Sequence, residues 1–515
     1  MTQSDIVQKL WNLCDVLRDD GINYSDYVTE LVLLLFIKME YEQVQNDENF
    51  GHKLPAGARW PDLAGKSGLN LLDYYRQLLL DLGKNPDPLI AAIYADAQTR
   101  LKEPRHLEQL IKSLDGIDWF SAREDGLGDL YEGLLEKNAS ETKSGAGQYF
   151  TPRPLIDSII RCLKPQPGET IQDPAAGTAG FLIAADAYIK QHTDDLYDLD
   201  DRARRFQRTQ AYVGVELVPG TRRLALMNTL LHGMEGDAEG VVHLGNALGQ
   251  VGASLPKVDV ILSNPPFGTA KGGGGPTRDD LTYRTSNKQL AFLQHIYRGL
   301  KPGGRAAVVL PDNVLFEAGV GTEVRRDLMD KCNLHTILRL PTGIFYAQGV
   351  KTNVLFFQKG TVDNPRQEER CTQRVWIYDL RSNMPSFGKR TPFGPTHLKP
   401  FEEAYGEDPN GNSPRAENVE GIAETSRFRC FTREQIRERG DSLDISWLKD
   451  ESSLDAADLP APEVLAGEAM AELTEALHEL EELMKALGAG DEVVAQKQLM
   501  AEVMGLAVAQ ENGDE

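Results

Sequence analysis

The hydrophobic residues of this chain change period twice. Through the first 140 residues they recur at intervals of three and four, as in Ile6, Leu10, Leu13 and Leu17, in residues 27–39 and in residues 69–82. That spacing places them on one face of an α-helix, so residues 1–140 read as an N-terminal all-helical domain. From 145 to 360 the pattern becomes short apolar runs, at 170–173, 212–216, 241–245, 258–264, 306–310 and 354–358, separated by amphipathic stretches. Such alternation predicts an α/β fold with an open, mostly parallel, doubly wound sheet. Residues 361–449, rich in Pro, Gly, Asn and Arg, show no clear period and read as an irregular connecting region. Residues 450–515 read as an acidic helical tail.

Composition removes several function classes. With 41% hydrophobic and 26% charged residues in 515, the chain is an ordinary globular one of two or three domains, not a disordered one. Its longest apolar run, residues 31–37, is too short to cross a bilayer, and Thr2, Gln3, Ser4 and Asp5 do not open a signal peptide, so no membrane partner is expected. Cys14, Cys162, Cys332, Cys371 and Cys430 share no metal-ligand spacing, which predicts a reducing, cytoplasmic setting and no metal.

Net charge is −23, the wrong sign for a phosphate backbone. Residues 450–515 carry 17 acidic residues against Lys485 and Lys497, or −15, leaving −8 for the rest. A basic partner or local patch must then supply attraction to nucleic acid. Arg202, Arg204, Arg205 and Arg208 form one candidate, though a charge run of this kind is usually a solvated face.

The strongest chemical signal is Asn264, Pro265, Pro266, Phe267, directly after an apolar strand. Asn-Pro-Pro-aromatic arises by chance in only about one chain in a few hundred. An exocyclic amine is a weak nucleophile because its lone pair is delocalised into the ring. Accepting both its hydrogens, with the Asn264 side-chain carbonyl and the Pro265 backbone carbonyl, concentrates that lone pair toward a methyl donor. The prolines preset the backbone, and Phe267 offers a face on which an extruded base can stack. The bland alternative is a stiff loop with Phe267 plugging the core.

A second signal is Asp173, Pro174, Ala175, Ala176, Gly177, Thr178, Ala179, Gly180, Phe181, after the first strand and opening a helix. Glycines there admit a ligand to the backbone, and a helix start supplies unpaired N–H donors, although tight packing turns use the same residues. Glu216 ends the second strand, where a carboxylate can accept both hydroxyls of a ribose. It follows Gly180 by 36 residues rather than roughly 20, the excess being the charged insertion at 193–210.

These segments, with Gly147, Gln148, Tyr149, Phe150, Thr151, Pro152 ahead of the first strand and the run Thr342, Gly343, Ile344, Phe345 through Gly349, Val350, Lys351, Thr352, Asn353, resemble the modification subunits of type I restriction-modification systems, the HsdM adenine-N6 DNA methyltransferases. The resemblance covers residues 5–360. It implies a Rossmann-like methyltransferase sheet and S-adenosylmethionine as cofactor. It also implies that Gln148, Tyr149, Phe150, Thr151, Pro152 and Arg153 lie near the methionine end, that Asp173 and the Gly177, Thr178, Ala179, Gly180 turn cradle the cofactor, and that Glu216 holds its ribose. Two positions depart from the wider pattern. Ala179 replaces a common glycine, implying an ordinary backbone conformation there. Asn246 replaces an aspartate facing the cofactor's adenine, whose amine an asparagine carbonyl can still meet. Implied partners are DNA, a specificity subunit shared by two modification subunits, and a restriction subunit.

Two other functions fit parts of the pattern. Asn-Pro-Pro-aromatic loops also serve methyltransferases acting on protein glutamine or rRNA, and a catalytically idle assembly subunit would share the fold. The Gly343 to Asn353 run favours DNA, and an idle scaffold has no use for the Asn264 loop. No nucleotide-binding Gly-x-x-x-x-Gly-Lys-Ser/Thr loop is present, and 361–449 is short for a groove-reading domain, so specificity comes from a partner. The Gly-rich 271–288 segment reads as a flap over DNA or as a plain surface loop.

In the tail, Met470, Leu473, Leu477, Leu480, Met484 and Leu487 make an unbroken heptad seam flanked by Glu472, Glu475, Glu479, Glu481 and Glu482. Such a stripe either packs on the chain's own core or docks on a partner helix, and its 3.5-residue period favours the partner. Truncation before Glu463 is therefore expected to leave a folded, cofactor-binding chain that no longer co-purifies with the specificity subunit. Aggregation or loss of cofactor binding would mean that the stripe packs internally.

Overall fold

The structure, a computed structural model, describes residues 3–22, 26–46, 51–117, 119, 126–141, 150–268, 278–345, 350–388, 391–417 and 427–448. The heptad seam, Gln148 and Tyr149 lie outside the described residues. A nine-stranded sheet forms the centre: β1 (Ile171–Asp173), β2 (Tyr212–Glu216), β3 (Val242–Leu244), β4 (Val258–Ser263), β5 (Leu300–Pro311), β6 (Cys332–Arg339), β7 (Thr352–Lys359), β8 (Arg374–Asp379) and β9 (Phe428–Thr432), in the order 3-2-1-4-5-7-6-8-9. β1 pairs parallel with β2 on one side and with β4 on the other. The sheet thus grows from β1 through β2 to β3 and then restarts on the other side of β1 with β4, which opens a crevice at the carboxyl ends of β1 and β4. β7 runs antiparallel between β5 and β6. Strands β4, β5 and β7 are almost wholly buried, because helices cover both faces of the sheet.

The expected α/β doubly wound sheet is present, with two differences. β6 was not anticipated, because Cys332, Asn333, His335 and Thr336 interrupt its apolar character; Asn333 is half-buried and the others are buried in the sheet. Residues 361–449 are not an irregular connection: they add β8, β9 and the helices Pro395–Tyr405 and Arg433–Glu438. These strands are held by aromatic contacts from distant parts of the chain. Trp376 and Phe428 rings lie 4.8 Å apart, and Tyr378 and Phe401 5.4 Å apart. Pairing of that kind leaves no local period.

The N-terminal helices pack onto the sheet unit. Helices Tyr27–Asn46 and Leu127–Glu141 both lie against Pro219–Leu231, and Arg223 of that helix donates to the carbonyl of Ile93 at 2.7 Å. The apolar run 31–37 is buried all round inside Tyr27–Asn46, the mark of a core helix. Among the described residues no helix is long and apolar enough to cross a membrane. The arginine run lies on helix Asp201–Thr209, where Arg204 pairs with Asp201 and Arg208 with Glu235. Half of the candidate basic patch is thereby neutralised.

Candidate active site

Asp173 ends β1 and is 1% exposed. One of its oxygens accepts both the Ala175 N–H at 2.9 Å and the hydroxyl of Ser263, the last residue of β4, at 2.8 Å. Burial pushes the Asp173 carboxyl up to about 7; the hydrogen bonds from Ala175 and Ser263 pull it down, and the Glu216 charge adds to the rise.

Beyond Asp173 the chain turns tightly into helix Gly180–Gln191. Gly177 has φ +55°, and no atom lies within 4 Å of where its Cβ would be, so the turn faces open space. Ala179 corrects the expectation of an ordinary backbone there: it sits left-handed, at φ 71° and ψ 19°, with its methyl fully buried. The turn imposes this through Ala179 N–H to the Ala176 carbonyl at 2.8 Å. Left-handed geometry costs a non-glycine residue about 1–2 kcal/mol, partly offset by roughly 0.8 kcal/mol for the buried methyl. From below, Asn228 Nδ2 donates to the Thr178 carbonyl at 3.0 Å.

Glu216 ends β2 and is not a solvated strand end. Its two oxygens accept the N–H groups of Gly177 (3.0 Å) and Val218 (2.8 Å). Burial raises its carboxyl above the usual range against those backbone hydrogen bonds. It therefore fastens the β1 turn to β2 and is itself half-buried, beside the exposed Leu217 and Val218. Asn246, beyond β3, is exposed, and its side-chain carbonyl already accepts the Leu248 N–H at 2.9 Å. That turn leaves the carbonyl one lone pair for any further donor.

The Asn264 loop rises from β4 beside Asp173. Asn264 Nδ2 donates to Thr151 Oγ1 at 2.9 Å, which joins the loop to the segment Phe150, Thr151, Pro152, Arg153. Pro265 is buried and Pro266 exposed. Phe267 is partly buried and meets Phe345 edge-on, with ring centroids 6.4 Å apart at 69°. Arg153 opens helix Arg153–Leu163 and is held by Asp157 at 2.8 Å and by Glu132. The structure therefore brings together Thr151, Arg153, Asp173, the 177–180 turn, Glu216 and Asn264, and leaves Asn246 at the rim.

Four contributors escaped the sequence reading: Ser263, Phe345, Glu132 and the Asp312 group. Ser263 directly precedes Asn264 and Phe345 stands in the distinctive late run, so both were within reach. Asp312, after β5, takes both hydrogen-bonding arms of Arg381 at 2.7 and 2.9 Å and Asn353 Nδ2 at 2.7 Å. Against the upward push of burial, these partners hold its carboxyl below the usual range. The group pins the start of β7 to the end of β5.

Residues 122–453 match the family model N-6 DNA Methylase. The chain belongs to the N-6 DNA methylase family. Residues 6–114 match the HsdM N-terminal domain, and 459–502 the C-terminal domain of the type I restriction enzyme methylase subunit. This methylase is 57% identical over 531 residues to the type I restriction enzyme StySPI methylase subunit of Salmonella potsdam, across 98% of this chain and 99% of the relative. It is 56% identical, with the same coverage, to the EcoKI methylase subunit of Escherichia coli strain K12. The crystal structure of the EcoKI M protein matches at 52% identity and TM-score 0.58 over 97% of this chain and 99% of that one. A chain from a structure of the assembly and conformational transition of the type I R-M system matches at 26% identity and TM-score 0.68 over 95% and 99%. The chain is an adenine-N6 DNA methylase of the type I class, which sets aside the glutamine, rRNA and idle-scaffold alternatives.

Since Glu216 braces the turn and is expected to hold the donor's ribose, Glu216→Ala is expected to weaken methyl-donor affinity at least about tenfold, one hydrogen bond to a charged group. The methylation rate should largely recover at saturating donor, since the contact is the same before and during transfer. Calorimetry showing unchanged affinity would remove the residue from the site.

Proposed function

We propose that this subunit transfers the methyl group of S-adenosylmethionine to the N6 amine of an adenine swung out of duplex DNA, with Asn264 and Pro265 as amine acceptors. The observation that carries this reading is the Thr151–Asn264 hydrogen bond. In this arrangement Nδ2 is given to the Thr151 hydroxyl, and Oδ1 is the acceptor end of the amide. An acceptor preset in this way costs no reorganisation during reaction.

The residues fit the donor. Gly177 leaves the space a backbone-hugging ligand needs, and Glu216 offers carboxylate lone pairs at the β2 end suited to a ribose diol. When bound, S-adenosylmethionine supplies a sulfonium-activated methyl group. With the ribose held by Glu216 and the methyl beside Asn264, the 177–180 turn, Thr151 and Arg153 would hold the methionine portion. Phe267, propped by the edge of Phe345, provides the stacking face for the base.

Site choice comes from partners. We place this subunit on DNA with a specificity subunit, two modification subunits to one, and a restriction subunit. The supporting observations are the matches at both ends of the chain to type I subunit models and a charge of −23 that offers little attraction of its own to DNA.

Asn264→Ala in the assembled complex is expected to slow methylation roughly 100- to 1000-fold, as for loss of one preorganised contact, while donor affinity stays near the parent value. Single-turnover transfer of a tritiated methyl group reads this directly. Rates within a few-fold of the parent would remove Asn264 from the reaction.

A further inference from the structure

Glu132 lies on helix Leu127–Glu141, among the helices of the N-terminal region rather than in the sheet. Its side chain is 13% exposed. Oε2 is paired with Arg153, while Oε1 turns to the start of helix Gly180–Gln191: a Cβ at Gly180 would stand 3.6 Å from it. Among the described residues Oε1 has no hydrogen-bond partner.

The charges around it do not balance. Arg153 brings one positive charge to Glu132, Asp157 and Glu136. Burial raises the Glu136 carboxyl above the usual range, and repulsion from Glu132 and Asp157 adds to the rise against the pull of Arg153. Asp129 and His232, next along, pair with each other at 3.4 Å, and the imidazole offsets the Asp129 charge only when it is protonated. Under the same turn Asn228 gives its amide N–H to Thr178, and its Oδ1 stays fully buried without a partner. Among the described residues this end of the crevice therefore holds more acceptors than donors and is negative, so it suits a compact cation with several N–H groups.

We infer that Glu132 accepts the α-ammonium of the cofactor's methionine portion, so that a residue of the N-terminal helices completes the cofactor site. This rests on the S-adenosylmethionine reading above, which places the methionine over the same turn. Arg153, clamped by Glu132 and Asp157, then serves to hold Glu132 in position.

The test is calorimetry on the full chain with S-adenosylhomocysteine and with its analogue lacking only the α-amino group. Glu132→Gln is expected to weaken S-adenosylhomocysteine about ten- to a hundredfold, the range for a hydrogen bond to a charged group, and to leave the analogue's affinity unchanged. Undiminished binding of S-adenosylhomocysteine overturns the inference, and equal losses for both ligands overturn it by reducing Glu132 to a support of the fold. Should Glu132→Gln not fold, Glu136→Gln removes one charge without touching the Arg153 pair. It is expected to weaken S-adenosylhomocysteine by a smaller factor and the analogue not at all; no effect on either overturns the inference. If the parent chain binds neither ligand, it is the cofactor reading that fails.

Discussion

A buried hydrogen bond between Asp173 and Ser263 joins the two segments on which this methylase depends. In the proposed reading Asp173 starts the turn that meets the cofactor, and Ser263 is the residue before Asn264, which meets the target. Their 2.8 Å contact fixes the carboxyl ends of β1 and β4 against one another at the point where the sheet changes direction. The cost is evident in the carboxyl itself, pushed up to about 7 by burial. Such a group is tolerated only where its partners are in place, so the site is built around it.

From that link the restraints run outward through short polar bridges. Glu216 ties the turn to β2, Thr151 ties Asn264 to the segment ahead of β1, and Arg153 carries the chain on to Glu132 among the N-terminal helices. On the other flank the Asp312, Asn353 and Arg381 group secures β7, whose preceding run sets Phe345 against Phe267. The residues proposed to meet donor and target thus sit on, or directly after, the ends of β1, β2 and β4. The left-handed Ala179 shows how firmly the turn is determined: the conformation persists without the glycine that would relieve it.

Legibility in the sequence followed the range of the forces involved. The placement of Asn264, Glu216 and the Asp173 turn at neighbouring strand ends was readable because each directly follows or ends an apolar run. The doubly wound sheet was readable because β1, β2, β4 and β5 are apolar runs buried on both faces. β8 and β9 were not, since they are held by Trp376, Tyr378, Phe401 and Phe428 meeting from distant segments. Glu132 was hidden for the same reason: on a helix of mixed polarity nothing local separates it from a solvated glutamate. Ala179 was misjudged because a residue's preference was weighed without the turn that overrides it.

The account stands on the claim that the Asp173–Ser263 bond transmits between target loop and cofactor turn. Ser263→Ala touches neither ligand in this reading and removes only that hydroxyl. The decisive measurement is the calorimetric affinity of the folded Ser263→Ala chain for S-adenosylmethionine. A drop of roughly two- to thirtyfold, equivalent to a coupling of about 0.5–2 kcal/mol, is the predicted result. Affinity equal to the parent's would show that the two halves of the site are set independently and would contradict the account.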